Sequence, residues 1–230
     1  MSKSIIVAID GPAGSGKSTS AKLVAQKLGY LYIDTGAMYR AVTLLAMQQD
    51  ILDNEDKIAR LASEADIKLK FINGSTVVII NGQDVTESIR SADVNRNVSN
   101  VSKIGEVRKV LVSKQQQMKN DVNGIVMEGR DITTVVFPEA DVKIFLTATV
   151  EQRALRRVKE FKDKGSEVSI EEMREAIIKR DLIDSTRDIS PLKKAPDAIE
   201  IDTSKVTIEE QVELILTAVR QKAKEKGIQI

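Results

Sequence analysis

The chain has 230 residues and a mass of 25.3 kDa, which allows one large domain or one domain with a small insert. It has 35 Lys and Arg against 34 Asp and Glu, and it contains neither Cys nor His. Disulfides, thiolate catalysis and cysteine zinc sites are therefore excluded, and the commonest general base near neutral pH is missing. The net charge of +1 and the aromatic content of 3% also argue against a nucleic-acid partner.

The first residues predict no export signal. The apolar run at residues 5–9 is shorter than the apolar region of a signal peptide, and it ends at Asp10. No segment approaches the roughly 20 apolar residues that a membrane helix needs. We therefore expect a soluble protein that resides in the cytoplasm and has no membrane partner.

The first elements alternate between strand and helix. Residues 4–9 form a largely β-branched apolar run, which is typical of a buried strand in a parallel sheet. A glycine-rich turn follows, and a helix is predicted over Lys17–Leu28, with Gly29 as its C-terminal cap. A second strand at 30–33 and a second helix around 38–45 repeat this order, which indicates an α/β fold.

The alternation stops between about residues 64 and 100. Residues 67–71 alternate strictly between apolar and charged side chains, Asn73-Gly74 is a hairpin signal, and residues 76–80 form a second apolar run. These signals predict an antiparallel β insert.

The later elements return to the α/β order. A helical pattern over 107–118 precedes apolar runs at 124–127 and 142–146, and the last strand is predicted at 198–201. Together with the earlier elements, these runs predict a three-layer fold. In this fold, a central parallel sheet of about five strands is flanked by helices and carries the small antiparallel β insert.

Two late helices have recognisable starts. Ser169 with Glu172, and Thr207 with Glu210, fit the capping box. The charged segment 159–169 before the first of them is either a mobile lid or a solvated loop.

The turn after the first strand matches the phosphate-binding pattern G-x-x-x-x-G-K-[ST]. Its glycines let backbone N–H groups face phosphate oxygens, and the following helix N-terminus adds partial positive charge. Lys17 would reach the β- and γ-phosphates, and Ser18 would be a ligand of Mg²⁺. An ordinary glycine turn is the alternative, but the flanking strand and helix favour nucleotide binding. The predicted ATP-binding residues are Gly11, Pro12, Ala13, Gly14, Ser15, Gly16, Lys17, Ser18 and Thr19.

The absence of certain motifs and of His narrows the class of nucleotide-binding protein. No Asn is followed by Lys, so the guanine-reading motif of GTPases is absent, and the chain is small for a motor ATPase or helicase. A small-molecule kinase remains. A hydroxyl acceptor benefits from a base, whereas a phosphate acceptor is largely deprotonated at pH 7 and needs positive charge instead. The lack of His therefore favours a phosphate acceptor.

The arginines supply candidates for that positive charge. Arg153, Arg156 and Arg157 share one face of a predicted helix and form either part of a lid or a solvated basic face. Arg180 precedes Asp184 by four residues, which is the less favourable order for helix stability, so contact with ribose and phosphate is favoured.

Two more segments fit an acceptor site. Residues 34–40 (DTGAMYR) and 129–131 (GRD) each follow a predicted strand, so they lie at the carboxyl edge of the sheet, where ligands of open α/β folds bind. The alternative is structural, because each Asp could cap a helix or pair with Arg40 or Arg130.

These segments resemble the bacterial cytidylate kinases, a family of nucleoside monophosphate kinases. The similarity runs almost end to end, and its most specific part is EGRDITTVVFPEADVKIFL. The β insert resembles the enlarged acceptor domain of the bacterial type. The other segments that carry the resemblance are IDGPAGSGKST, DTGAMYR, EQRALRRVKE and RDLIDSTRDISPL.

The resemblance implies transfer of the γ-phosphoryl group of ATP to CMP or dCMP, with Mg²⁺ as the cofactor. The family commonly has Ser where Thr35 stands here, and Thr keeps the hydroxyl. Asp131 accepting from the exocyclic amine of cytosine would separate cytosine from uracil. The residues implied around CMP are Thr35, Arg40, Ser99, Arg108, Arg130, Asp131, Arg180, Asp184 and Arg187. The residues implied in catalysis are Lys17, Arg130, Arg153, Arg157 and Arg187, with Arg156 left open as a lid residue.

The same resemblance implies a division of the chain. The core would comprise about 1–35, 103–150 and 187–230, the acceptor-binding region about 36–102, and the lid about 153–169. We expect a monomer, because lid and acceptor region move around a rigid sheet. The alternatives are another monophosphate kinase, acting on UMP, AMP or dTMP, and a regulatory protein in which ATP orders the lid for a partner.

Overall fold

The computed structural model describes residues 4–72, 75–119, 123–163, 165 and 167–230. Its strands are β1 (Ile5–Asp10), β2 (Leu31–Asp34), β3 (Ile67–Ile72), β4 (Ser75–Ile80), β5 (Gln83–Asp84), β6 (Gly124–Gly129), β7 (Val142–Thr147) and β8 (Ile199–Asp202). Five of them form a parallel sheet in the order β2-β6-β1-β7-β8, and β3, β4 and β5 form a small antiparallel sheet. The predicted fold class is confirmed.

Helices cover both faces of the parallel sheet. They are α1 (Lys17–Leu28), α2 (Thr35–Gln48), α3 (Glu55–Glu64), α4 (Ala92–Ser102), α5 (Gly105–Gln117), α6 (Val150–Asp163), α7 (Ile170–Thr186) and α8 (Ile208–Lys226), with a 3₁₀ turn at Ser88–Arg90 and a π-helix at Ile132–Val136. Within the described part of the chain, no helix has the length and apolar character needed to cross a membrane.

Side-chain alternation along β1 builds two hydrophobic cores. Val7 and Ile9 are fully buried in the core formed with α1 and α8. Ala8 belongs to the core on the opposite face, together with Met127 and the π-helix residue Ile132. Because both faces are covered, the central strands β1 and β6 contain continuous apolar runs in the sequence. This is why the sequence pattern located them to within two residues.

Residues 36–102 contain more helix than their sequence pattern indicated. The segment predicted as a β insert holds β3, β4 and the short β5, but it also holds α4, and α3 precedes it. Ser91 caps α4 by accepting from the backbone N–H of Val94, and Val94, Val98 and Val101 are buried along one face. The β-branched residues and nearby turn signals hid this helical period. The predicted hairpin turn at Asn73-Gly74 lies outside the described residues.

The helix starts in the second half are confirmed, whereas the predicted loop at 159–169 is partly wrong. Both capping boxes are present, at Ser169 and at Thr207. However, α6 continues to Asp163, so the first part of that segment is helical. Its exposed charges made the segment resemble a loop, but Phe161 packs against the small core between α6 and α7.

The parallel register aligns polar residues at the carboxyl ends of the strands. Asp10 stands opposite Gly129, and Asp34 stands opposite Glu128. The chain leaves β1 for β2 on one side of it and later returns to β7 on the other, so the strand order reverses at β1. The carboxyl end of β1 is therefore the topological switch point at which open α/β sheets bind ligands.

Candidate active site

The P-loop, residues 11–18, joins β1 to α1 in a conformation that needs glycine. Gly11, Gly14 and Gly16 have φ values of 151°, 77° and 91°. A Cβ on Gly11 would overlap the carbonyl oxygen of Leu146, so no side chain fits there. The loop opens onto a cavity that the first turn of α1 also reaches through Lys17, where the helix dipole favours an anion.

The side chain of Lys17 folds back over the P-loop. Its ammonium group donates to the Pro12 carbonyl oxygen at 2.7 Å and lies 3.4 Å from the hydroxyl of Ser15. Burial, followed by the positive charge of Arg130, lowers the pKa of Lys17 to about 7. A phosphate group in the loop would supply the negative charge that favours the ammonium form.

Arg156 and Thr203 form hydrogen bonds with carbonyl groups of the P-loop. Arg156 donates to the carbonyl oxygens of Gly14 at 3.2 Å and of Thr203 at 2.5 Å. The Thr203 hydroxyl in turn donates to the carbonyl oxygen of Ser15 at 3.0 Å. With its carbonyls held from behind, the loop keeps its N–H groups for a ligand.

The two arginines predicted as lid residues have different surroundings. Arg153 is buried, donates to the Ala13 carbonyl oxygen at 3.2 Å, and pairs with Asp181 at 2.6 Å. Arg157 lines the cavity and pairs with Glu160 at 2.6 Å. In this structure only Arg157 of the two is directed to the cavity.

The acceptor side of the cavity begins at the N-terminus of α2. Asp34 caps this helix by accepting from the Ala37 N–H at 3.0 Å, and it pairs with Arg40 at 2.7 Å. Both structural alternatives for Asp34 are therefore realised. Burial raises the pKa of Asp34, but Arg40 outweighs it and holds this pKa below its usual value. The Thr35 hydroxyl donates to the carbonyl oxygen of Glu128 at 2.7 Å.

A buried ion pair closes one end of the cavity. Arg108 and Asp131 are 2.5 Å apart, and only 2% and 4% of their side chains are exposed. Arg108 also donates to the Ser102 carbonyl oxygen at 3.0 Å and lies 5.2 Å from the centre of the Tyr39 ring. Burial works against the charge on Arg108, but Tyr39 and Asp131 raise its pKa overall. Loss of either partner would leave a buried charge uncompensated.

A second carboxylate, Asp184 on α7, is surrounded by guanidinium groups. Arg130 lies 3.0 Å from it, Arg187 3.4 Å and Arg180 3.8 Å. Burial opposes its ionisation, yet the three arginines, Arg130 foremost, lower the pKa of Asp184. Burial and then Arg130 lower the pKa of Arg180 to about 10. Positive charge in this cluster therefore exceeds what its carboxylate balances.

All of these groups line one cavity, and their charges do not cancel. Among the described residues that line it, seven are cationic and four are acidic, an excess of three positive charges. The cationic residues are Lys17, Arg40, Arg108, Arg130, Arg157, Arg180 and Arg187. The acidic residues are Asp34, Glu128, Asp131 and Asp184. A concave surface with this excess favours a polyanionic ligand.

The structure brings most of the predicted residues to this cavity. Thr35 and all the predicted CMP-binding charged residues line it, as do Ala13, Gly14, Lys17 and Ser18 of the P-loop. Ser99 does not line it; other α4 residues, Asn95, Val98 and Ser102, do. The remaining predicted ATP-binding residues do not line it, namely Gly11, Pro12, Ser15, Gly16 and Thr19.

Glu128 is a candidate residue that the sequence patterns did not single out. It lies beside Asp34 in the sheet register, is 4% exposed, and accepts from the Tyr32 hydroxyl at 3.1 Å. Burial and then Asp34 raise its pKa, and the positive charge of Lys17 opposes this rise. Its one signal in the sequence is an acidic residue at the end of an apolar run, directly before Gly129.

A family model described as "Cytidylate kinase" matches residues 7–221, from within β1 to within α8. The chain belongs to the cytidylate kinase family. The predicted resemblance is therefore confirmed, and it extends over residues 36–102 as well as the P-loop.

Individual relatives agree with the family match. A cytidylate kinase of Bacillus subtilis (strain 168) is 49% identical over 225 residues, covering 97% of this chain and 100% of the relative. The cytidylate kinase of Caldicellulosiruptor saccharolyticus is 51% identical over 215 residues, covering 93% and 95%. Among solved structures, an uncharacterized protein from Eubacterium ventriosum has a TM-score of 0.52 at 16% identity, covering 94% of this chain and 98% of that one. That likeness shows the fold alone.

The shifted pKa of Lys17 predicts its chemical reactivity. In protein free of nucleotide, we expect Lys17 to be acetylated with a pH midpoint near 7, and ATP should move that midpoint upward because phosphate favours the ammonium form. Labelling with acetic anhydride between about pH 5 and 10, followed by mass spectrometry, measures this. Exposed Lys27 on the same helix is the internal control. Equal pH dependence of labelling at the two lysines would contradict the prediction.

Proposed function

We propose that this chain transfers the γ-phosphoryl group of ATP to CMP or dCMP, giving ADP and CDP or dCDP. The observation that carries the proposal is one positively charged cavity with the P-loop Lys17 on one side and the buried Arg108–Asp131 pair on the other. The P-loop side suits the phosphates of ATP, and the other side suits a nucleoside monophosphate. Membership of the cytidylate kinase family supports cytosine as the base.

The P-loop side also has a donor set that fits Mg²⁺. The Ser18 hydroxyl and the carboxylates of Glu128 and Asp34 all line the cavity, and Mg²⁺ prefers one or two carboxylates together with phosphate oxygens and water. We propose Ser18 as the metal ligand, with Glu128 and Asp34 as the neighbouring carboxylates. When bound, the ion neutralises charge on the β- and γ-phosphates.

The acceptor residues divide by the part of CMP that each would contact. Asp131 would accept from the exocyclic amine of cytosine, and Arg108 would donate to its carbonyl side. Ser99 would reach the base only if α4 moves toward the cavity. The residues proposed at the acceptor phosphate are Thr35, Arg40 and Arg130, those at the sugar are Arg180 and Asp184, and Arg187 completes the site.

The chemistry that we propose needs no side-chain base. The CMP phosphate, with a second pKa of about 6, is mostly a dianion at pH 7. One of its oxygens attacks the γ-phosphorus, the bond to the bridging oxygen breaks, and ADP leaves with that electron pair. Catalysis then consists of positioning and charge stabilisation. The proposed catalytic residues are Lys17, Arg130, Arg153, Arg157 and Arg187; contact by Arg153 would require its guanidinium to leave Asp181.

The different surroundings of the two α6 arginines predict different defects. Arg157→Ala should lower kcat by roughly 100-fold, because a cation facing the transferring group is lost, with little change in stability. Arg153→Ala should lower the free energy of unfolding by about 2–4 kcal/mol, because Asp181 loses a buried partner. Steady-state kinetics and urea unfolding measure the two effects.

A matched control is Arg60→Ala, which removes an exposed arginine paired with Glu64 on α3. It should change neither kcat nor stability appreciably. Wild-type kcat in Arg157→Ala would exclude its contact with the phosphoryl group.

The Arg108–Asp131 pair predicts how the base is chosen. Asp131→Ala should lower the ratio of kcat/KM for CMP over UMP by roughly 100-fold, because the acceptor for the cytosine amine is lost. It should also reduce stability, since Arg108 is left unpaired. The control is Asp93→Asn, which removes an exposed carboxylate. An unchanged CMP to UMP ratio in folded Asp131→Ala would remove Asp131 from base recognition.

The overall proposal is tested by ADP release from ATP and Mg²⁺ with CMP, dCMP, UMP, AMP, GMP or no acceptor. We expect fast release with CMP and dCMP, and a strong loss in Lys17→Ala whose circular dichroism is unchanged. Preference for another monophosphate would keep the kinase mechanism and overturn the base. No acceptor-dependent release by folded protein would favour a regulatory nucleotide-binding protein.

We also propose the division of the chain into core, acceptor-binding region and lid with the boundaries given above. A hydrophobic core built from α2, α3, α4 and β4 supports the acceptor-binding region as a unit, and the same core extends to Val107 and Leu111 of α5, beyond the proposed boundary. We propose a monomer, because the lid and the acceptor-binding region would have to move around a rigid sheet. ATP and CMP are cytoplasmic metabolites, which supports cytoplasmic residence.

A further inference from the structure

Asp10 is a buried carboxylate to which the proposed chemistry assigns no role. It is the last residue of β1, directly before the P-loop glycine Gly11, and its exposure is 0%. It does not line the cavity, so it has no access to a bound nucleotide in this structure.

Asp10 holds the π-helix that follows the GRD segment. One carboxylate oxygen accepts from the backbone N–H of Ile132 at 2.9 Å. The other accepts from the backbone N–H of Thr133 at 2.7 Å and from its hydroxyl at 2.6 Å. Three hydrogen bonds thus join the end of β1 to residues more than 120 positions later in the chain.

The residues just before the π-helix are the ones proposed to contact CMP. Arg130 and Asp131 connect β6 to this helix, and the Asp131 carbonyl oxygen accepts from the N–H groups of Val135 and Val136. Rotation or translation of the π-helix would therefore move Arg130 and Asp131 together. Asp10 is continuous with the P-loop at its other end, so a single side chain joins the ATP and CMP sides of the site.

Stability alone does not favour an ionised carboxylate here. Burial is the largest influence on Asp10 and raises its pKa to about 6, although the three hydrogen bonds oppose this. An apolar residue would avoid that cost but would leave the N–H groups of Ile132 and Thr133 without this acceptor. The buried carboxylate therefore lowers stability, while its hydrogen bonds fix the position of the π-helix.

We propose that Asp10 is a positioning residue that fixes Arg130 and Asp131 relative to the P-loop through Thr133 and Ile132. This proposal rests on the proposed kinase function. It assigns Asp10 no contact with substrate, and it attributes part of the affinity and selectivity for the acceptor to hydrogen bonds outside the cavity.

Adjacent threonines in the π-helix offer a matched test. Thr133→Val removes the hydroxyl that donates to Asp10, whereas Thr134→Val removes a buried hydroxyl that finds no hydrogen-bond partner among the described residues. Thr133→Val should lower kcat/KM for CMP by roughly tenfold and reduce the CMP to UMP ratio, with KM for ATP within about twofold of wild type. Thr134→Val should behave as wild type. Asp10→Asn should show a larger loss in the same direction.

CMP binding by isothermal titration calorimetry and thermal unfolding separate positioning from simple stabilisation. Weaker CMP binding by folded Thr133→Val, but not by Thr134→Val, supports the proposal. If Thr133→Val lowers only the melting temperature and keeps wild-type kcat/KM and CMP to UMP ratio, the proposal is overturned. Should Asp10→Asn fail to fold, the threonine pair still decides.

A different result would contradict the proposed kinase function. Wild-type protein that transfers no phosphoryl group to CMP refutes that function whatever the variants do. If the wild type prefers another monophosphate, the same variants are measured with it, and an equal rate for Thr133→Val and wild type then overturns the positioning role.

Discussion

Repulsion between the guanidinium groups around the cavity is the constraint on which the arrangement of the site depends. Asp184 lies among Arg130, Arg180 and Arg187, and Asp131 is paired with Arg108 in a buried position. Without these carboxylates, neighbouring cations would repel one another in surroundings that screen charge poorly. The elements that carry the acidic residues must therefore be held in a fixed relation to those that carry the arginines.

The carboxylates do not balance all the positive charge of the cavity, and the remaining positive charge indicates what kind of ligand the cavity can bind. Seven cationic groups face four carboxylates, and burial, followed by the positive charge of Arg130, lowers the pKa values of Lys17 and Arg180. A phosphate group would relieve this repulsion, and two phosphorylated substrates would relieve it further. Binding of polyanions thus offsets the repulsion among the cationic groups of the free protein.

Rigid connections behind the cavity make this charge arrangement possible. The P-loop carbonyls are held by Arg156 and Thr203, and the acceptor side is fixed by the Arg108–Asp131 pair. Asp10 connects the P-loop with the segment that carries Asp131, because it ends β1 and accepts hydrogen bonds from the π-helix. Parallel pairing of β1 with β6 then keeps the two sides at a constant distance.

The sequence by itself determined the features that depend on near neighbours. The P-loop, the bounds of α1 and the capping box at Ser169 involve residues within a few positions of one another, so local patterns predicted them. The helix α4 was hidden by turn signals, and Glu128 gave almost no local signal. Only the tertiary structure decided that Arg153 is buried while Arg157 faces the cavity.

The same distinction applies to the charge pairs. Arg108 meets Asp131 across 23 residues, Arg130 meets Asp184 across 54, and Asp10 meets Thr133 across 123. A sequence shows which charged residues exist, and the family resemblance indicates which of them gather at one site. Which carboxylate faces which cation depends on the packing of β6, α5 and α7 around the sheet, because electrostatic pairing is set by distance in space and not by separation along the chain.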